Sequence, residues 1–191
     1  TCLREYHELY CAGHLMEAAV AYADATGKRT LLDVACRFAD LIDRKFGPAP
    51  QQCKGYPGHE EIELALIKLG EKTGCPRYAR LAQHFINQRG TQPNYFEAEL
   101  KRDPTTRYPW GDGPLAGMRY FQADRPVRMQ QDAYGHAVRA CYLYSGIADV
   151  ARVCADASLA QTAQRMFDSI TKRCMYVTGA IGSSSYGEAF T

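Results

Sequence analysis

The chain has no apolar run of 18 residues, no block of lysine or arginine and no low-complexity tract. The first absence excludes a transmembrane helix. The second removes the electrostatic case for nucleic acid or an acidic membrane surface, since 23 basic residues face 21 acidic ones and the formal net charge is only +2. GxGxxG, the P-loop, HExxH, a two-cysteine two-histidine zinc spacing and a Ser-His-Asp pattern are all missing. Strand-like and helix-like segments do not alternate, which argues against a Rossmann-type fold. The eight cysteines contain no CxxC pair. Most sit at apolar helical positions, as Cys36 does in LLDVACRFA and Cys141 in AVRACYLY. They read as buried thiols and point to a reducing, cytoplasmic compartment rather than a secreted disulfide scaffold.

At 191 residues the chain is long enough for a sizeable core in one domain. Leu9, Ala12, Met16, Ala19, Val20 and Ala23 recur at three- and four-residue steps and predict a first helix over about 5–26, stopped by Gly27. Thr30 opens a second helix through about Lys45. A third is expected from near His59 to Gly74, and a fourth from Pro76 towards Gly90. Residues 91–125 show no clear period and hold Pro104, Tyr108, Pro109 and Trp110, so a long ordered loop is expected there. Two more helices follow, over about 127–151 and 158–172, and Met175–Thr178 reads as a short strand. The Thr-Gly ends at Thr26-Gly27 and Thr73-Gly74 lie 47 residues apart. That recurrence fits repeated helical hairpins, as in solenoids or toroids. The expected fold is therefore all-α.

Three of the five histidines directly follow a glycine: His14, His59 and His136. Glycine costs a helix about 1 kcal/mol relative to alanine, so its presence calls for a close approach by a ligand or another backbone. Neutral imidazole offers one donor and one acceptor, which suits sugar hydroxyls or a metal. Three such pairs on separate helices suggest one shared site. His7 lies two helical turns from His14 and shares its face, whereas His84 has no polar partner at helical spacing and reads as structural. Glu60, Glu61 and Glu63 read as the polar face of a helix start. Glu188 differs: between Gly187 and Ala189-Phe190 it is expected in a partly apolar pocket, placed to act as an acid.

Four stretches together, HELYCAGHLMEAAVAY, GYPGHEEIELAL, AYGHAVRACYLYSG and YVTGAIGSSSYGEAFT, resemble glycoside hydrolase family 127, the β-L-arabinofuranosidases. The resemblance spans nearly the whole chain. It implies part of an (α/α)6 barrel, about half of its ring of helix pairs, and a retaining hydrolase that releases terminal L-arabinofuranose from an arabinofuranoside or plant-type glycan. A related family 146 enzyme with another substrate is the nearest variant of this reading.

Within that resemblance Glu188 in GEAFT takes the role of general acid/base. His59, His136 and either His14 or His7 take the role of sugar contacts, His14 being preferred for its glycine. The family's nucleophile is a cysteine thiolate held by zinc. Its ligands are expected beyond Thr191, so no metal ligand and none of the eight cysteines is assigned within this chain. The chain is then expected to be an inactive fragment of a longer glycosidase. The alternative is a truncated, catalytically silent relative that binds carbohydrate or serves as a scaffold. Nucleic acid and membrane are not expected partners, and the sequence leaves the oligomeric state open.

Overall fold

A computed structural model describes residues 2–103 and 117–190. Among these residues there are seven α-helices and no strand: α1 (Glu8–Thr26), α2 (Thr30–Lys45), α3 (Ile62–Thr73), α4 (Pro76–Gln88), α5 (Tyr95–Arg102), α6 (Ala137–Val153) and α7 (Ala157–Ser169). Three hairpins organise them, α1 with α2, α3 with α4 and α6 with α7. Helix α3 is central and packs against α1, α4 and α6, so α1, α3 and α6 form an inner row, while α2 and α4 contact each other behind it. The described residues are thus all-α, as expected.

The core is one continuous cluster from Leu3 to Met166, and it includes Met16 and Ala19 of α1, Ile62, Leu66 and Leu69 of α3, and Leu143 and Ile147 of α6. Both Thr-Gly ends behave as the sequence predicts. Gly27 and Gly74 take left-handed conformations at φ 70° and 68°, and their N–H groups close the last turns onto Ala23 and Gly70.

Several boundaries differ from expectation. Helix α1 begins at Glu8 rather than Glu5, and α3 begins at Ile62 rather than His59. Thr30 is the first residue of α2, and its side chain caps nothing. The expected fifth helix splits into a single 3-10 turn at Val127–Met129 and then α6, with extended backbone at Gln130 and His136 and Gly135 at φ 72° between them. Residues 91–125 are not wholly loop. Asn94 accepts hydrogen bonds from the Phe96 and Glu97 amides and so caps α5. Tyr108 and Trp110 lie outside the described residues. After α7 a π-helical turn occupies Ile170–Cys174. Met175–Thr178, expected as a strand, is instead part of a turn in which Gly179 N–H donates to Tyr176 O.

Candidate active site

Because each hairpin returns the chain, the inner helices α1, α3 and α6 start at the same end of the molecule. His7 stands at the N-cap of α1, His136 at the N-cap of α6, and His59 three residues before α3. Their rings form a row, with centroids 5.4 Å apart for His7 and His59 and 5.6 Å apart for His59 and His136. They line a cleft of about 570 Å³ together with Tyr120, Arg139 and Glu188.

The position of Glu188 is set by its backbone. Ala137 N–H donates to Glu188 O at 2.9 Å, Phe190 N–H donates to Gly135 O at 2.9 Å, and Ala189 bridges to His136 and Ser184. Glu188 itself takes φ 50°, directly after Gly187 at φ 73°. Its side chain is 74% exposed, so the apolar pocket expected around it is absent among the described residues. What fixes the carboxylate is His136, whose Nε2 lies 2.9 Å from Glu188 Oε2.

Hydrogen bonds assign the tautomers of two neutral rings. His136 Nδ1 accepts the Arg139 amide at 3.2 Å, so its proton sits on Nε2 and is donated to Glu188. His59 Nδ1 lies 2.9 Å from Glu60 O, an acceptor, so that nitrogen carries the proton and Nε2 is left as an acceptor. Burial pushes His59 down to about 3, and Arg139, His136 and His7 act in the same direction. Burial and Arg139 also lower His136 and His7. The row is therefore uncharged at neutral pH.

Arg139, in the first turn of α6, is not among the expected site residues. Its guanidinium lies over Tyr120 and Phe121, 5.1 and 4.7 Å from the ring centroids, and donates to Gly58 O at 3.0 Å. The available signal was its spacing from His136, three residues on in YGHAVRA, which puts both at one helix start.

Glu60, Glu61 and Glu63 are not a solvated face: all three are buried. The first turns of α3 are covered on every side, so Glu60 and Glu63 meet their counter-charge inside. Arg89 Nη1 lies 2.8 Å from Glu60 Oε1 and Nη2 lies 3.6 Å from Glu63 Oε1. Arg89 also donates to Phe121 O and Pro57 O. Burial nevertheless raises Glu60 to about 8, against the opposing pull of Arg89.

His14 does not line the cleft. Tyr10 packs between it and His59, with ring centroids 4.4 Å from each. His84 is buried beside Phe85, as a structural histidine would be. All eight cysteines are free thiols, and none lines the cleft. Among the described residues no cysteine joins a group able to hold a metal, so a zinc-held thiolate does not fit these residues. No described helix is long and apolar enough to cross a membrane.

The catalytic-domain model of the glycoside hydrolase family 127 β-L-arabinofuranosidases matches residues 3–191. The non-reducing end β-L-arabinofuranosidase of Bifidobacterium longum subsp. longum is 47% identical over 189 residues, which are 99% of this chain and 29% of that protein. A crystal structure of a family 127 β-L-arabinofuranosidase from Geobacillus stearothermophilus T6 superposes with a TM-score of 0.93 at 54% identity, covering 99% of this chain and 29% of the other. A second family 127 β-arabinofuranosidase structure gives a TM-score of 0.81 at 40% identity over 97% of this chain and 26% of its own. The chain thus spans under a third of the length of these relatives.

Proposed function

This chain belongs to the glycoside hydrolase family 127 catalytic-domain family, and from that premise we propose that it carries the acid/base and sugar-binding part of a retaining β-L-arabinofuranosidase. The relatives it resembles are named as β-L-arabinofuranosidases, which supports a terminal arabinofuranoside as substrate. The observation that carries the reading is the 2.9 Å contact of Glu188 with His136, in a cleft shared with His7 and His59.

The roles follow from the protons. Glu188, exposed at the cleft and anchored through its backbone, delivers a proton to the leaving oxygen and later accepts one from water. His136 Nε2–H steadies the carboxylate form. His59 presents Nε2 as an acceptor for a sugar hydroxyl, and lining of the cleft favours His7 over His14 as the third contact. Arg139 and the burial of the row keep these imidazoles neutral, so that hydroxyl groups are bound in preference to anions.

The test is hydrolysis of aryl β-L-arabinofuranosides by the polypeptide the gene encodes and by the 191-residue chain. Glu188→Gln should reduce turnover of substrates with poor leaving groups by about 100-fold or more, and that of good leaving groups far less. Equal losses for both would remove Glu188 from the acid role. Saturable arabinose binding without turnover in either polypeptide would favour the carbohydrate-binding reading.

A further inference from the structure

Three side chains that this hydrolysis does not use converge between α1 and the start of α3. His14 Nδ1 lies 3.6 Å from Glu17 Oε2 and 3.6 Å from Glu61 Oε1. One possible ligand atom from each residue falls within 4.8 Å of the other two. A separation of 3.6 Å is too long for a hydrogen bond. It is close to the ~3.3 Å that separates neighbouring ligands around a tetrahedral ion with bonds of 2.0–2.1 Å.

Glu61 supplies a second and independent observation. Its side chain is 0% exposed and no N–H group donates to either oxygen; burial and the adjoining Glu17 carboxyl raise it to about 10, so that without a cation it is a neutral acid shared with Glu17. A buried carboxyl group without such a donor is costly, and the fold makes specific room for it. A Cβ on Gly13 would stand 1.4 Å from Glu61 Oε2 and 2.9 Å from Ile62 Cα. Glycine at position 13 therefore lets α1 pass directly over the carboxyl group, which gives the Gly13-His14 pair a physical reason.

The cluster opens outward, since the His14 and Glu17 side chains are 41% and 25% exposed. Lys68 engages Glu17 through Oε1, which leaves Oε2 turned towards His14. Tyr10 packs edge-on against the His14 ring and limits its rotation.

We infer that His14, Glu17 and Glu61 form a three-ligand site for a divalent cation, with a fourth position open to solvent. One imidazole with two carboxylates suits a first-row transition metal such as zinc rather than calcium or magnesium, which favour all-oxygen shells. The inference goes beyond the proposed hydrolysis and does not rest on it.

The test titrates zinc chloride into the 191-residue chain by calorimetry, with cobalt(II) as an optical probe. One saturable equivalent is expected, and the cobalt spectrum should lack the intense near-ultraviolet bands of thiolate ligation. Glu61→Gln and His14→Ala should each weaken zinc binding by more than about 100-fold, beyond the cost of losing a mere supporting partner. His14→Ala trims a half-exposed side chain, so it tests the site even if Glu61→Gln does not fold. The site would be overturned by any of three results: no saturable uptake, a loss below about tenfold in His14→Ala, or a thiolate-dominated cobalt spectrum.

Discussion

At the scale of single residues, the cleft depends on imidazoles that stay uncharged. Unfolded His59 takes up a proton near 6.5, whereas in the folded chain burial holds it down to about 3. The unfolded state therefore binds more protons between those values, and stability must fall as pH drops from 6.5 towards 3. Glu60 acts in the opposite sense. Raised to about 8 when folded, it adds stability below about 4.5 that is lost as pH rises through 8. Replacing His59 by glutamine should flatten the acid limb, so that the urea midpoint drops less between pH 6.5 and pH 4 than in the wild type. An unchanged drop would show that His59 does not carry this linkage. The residue pattern made His59, His136 and Glu188 visible as candidates because small neighbours mark close packing. Between His14 and His7 it could not decide, and the cleft takes in His7 alone, since two residues on one helix face can still be separated by a ring such as Tyr10. It also misread the three glutamates before and within α3. Acidic residues at a helix start suit the dipole whether they face water or a buried arginine, and only the packing of α3 decides between them.

At the scale of elements, hairpin periodicity was legible and helix starts were not. Apolar spacing located α1, α2, α4 and α7 to within a few residues, because each has one face turned to the core. The interruption before α6 spans residues 130–136, from extended Gln130 through left-handed Gly135 to extended His136. Gly135 sits at φ 72°, and a Cβ there would lie 2.5 Å from Arg119 O and 2.7 Å from Tyr120 O. Gly135→Ala should therefore destabilise the chain by about 1–3 kcal/mol in urea unfolding. It should also loosen the pairing of Phe190 N–H with Gly135 O, which holds the Glu188 segment. A variant as stable as wild type would mean that this turn relaxes without strain.

At the scale of the whole molecule, a single cluster joins residues of both helical layers, from Leu3 before α1 to Met166 in α7. No hairpin owns a separate core, so the hairpins should unfold together. Far-ultraviolet circular dichroism and tyrosine fluorescence are expected to give coincident urea transitions. Met16→Ala, which empties a fully buried position, should move both by the same amount, at a cost of about 2–5 kcal/mol. Transitions that separate would reveal independent units. The all-helical class was legible from periodicity, and the family from four motifs. The inner and outer layering was not, because it depends on which faces meet across turns.

The left-handed backbone of Glu188 carries a trade-off between comfort and reach. Asparagine and aspartate enter that conformation several-fold more readily than longer side chains. Glutamate at φ 50° is thus the less easy occupant, and aspartate would rest there with less strain. Aspartate would also stop one methylene short of the imidazole 2.9 Å away. The molecule keeps the longer arm at the expense of an awkward shoulder, and the span from a rigid anchor to a fixed ring sets the length of the side chain at this position.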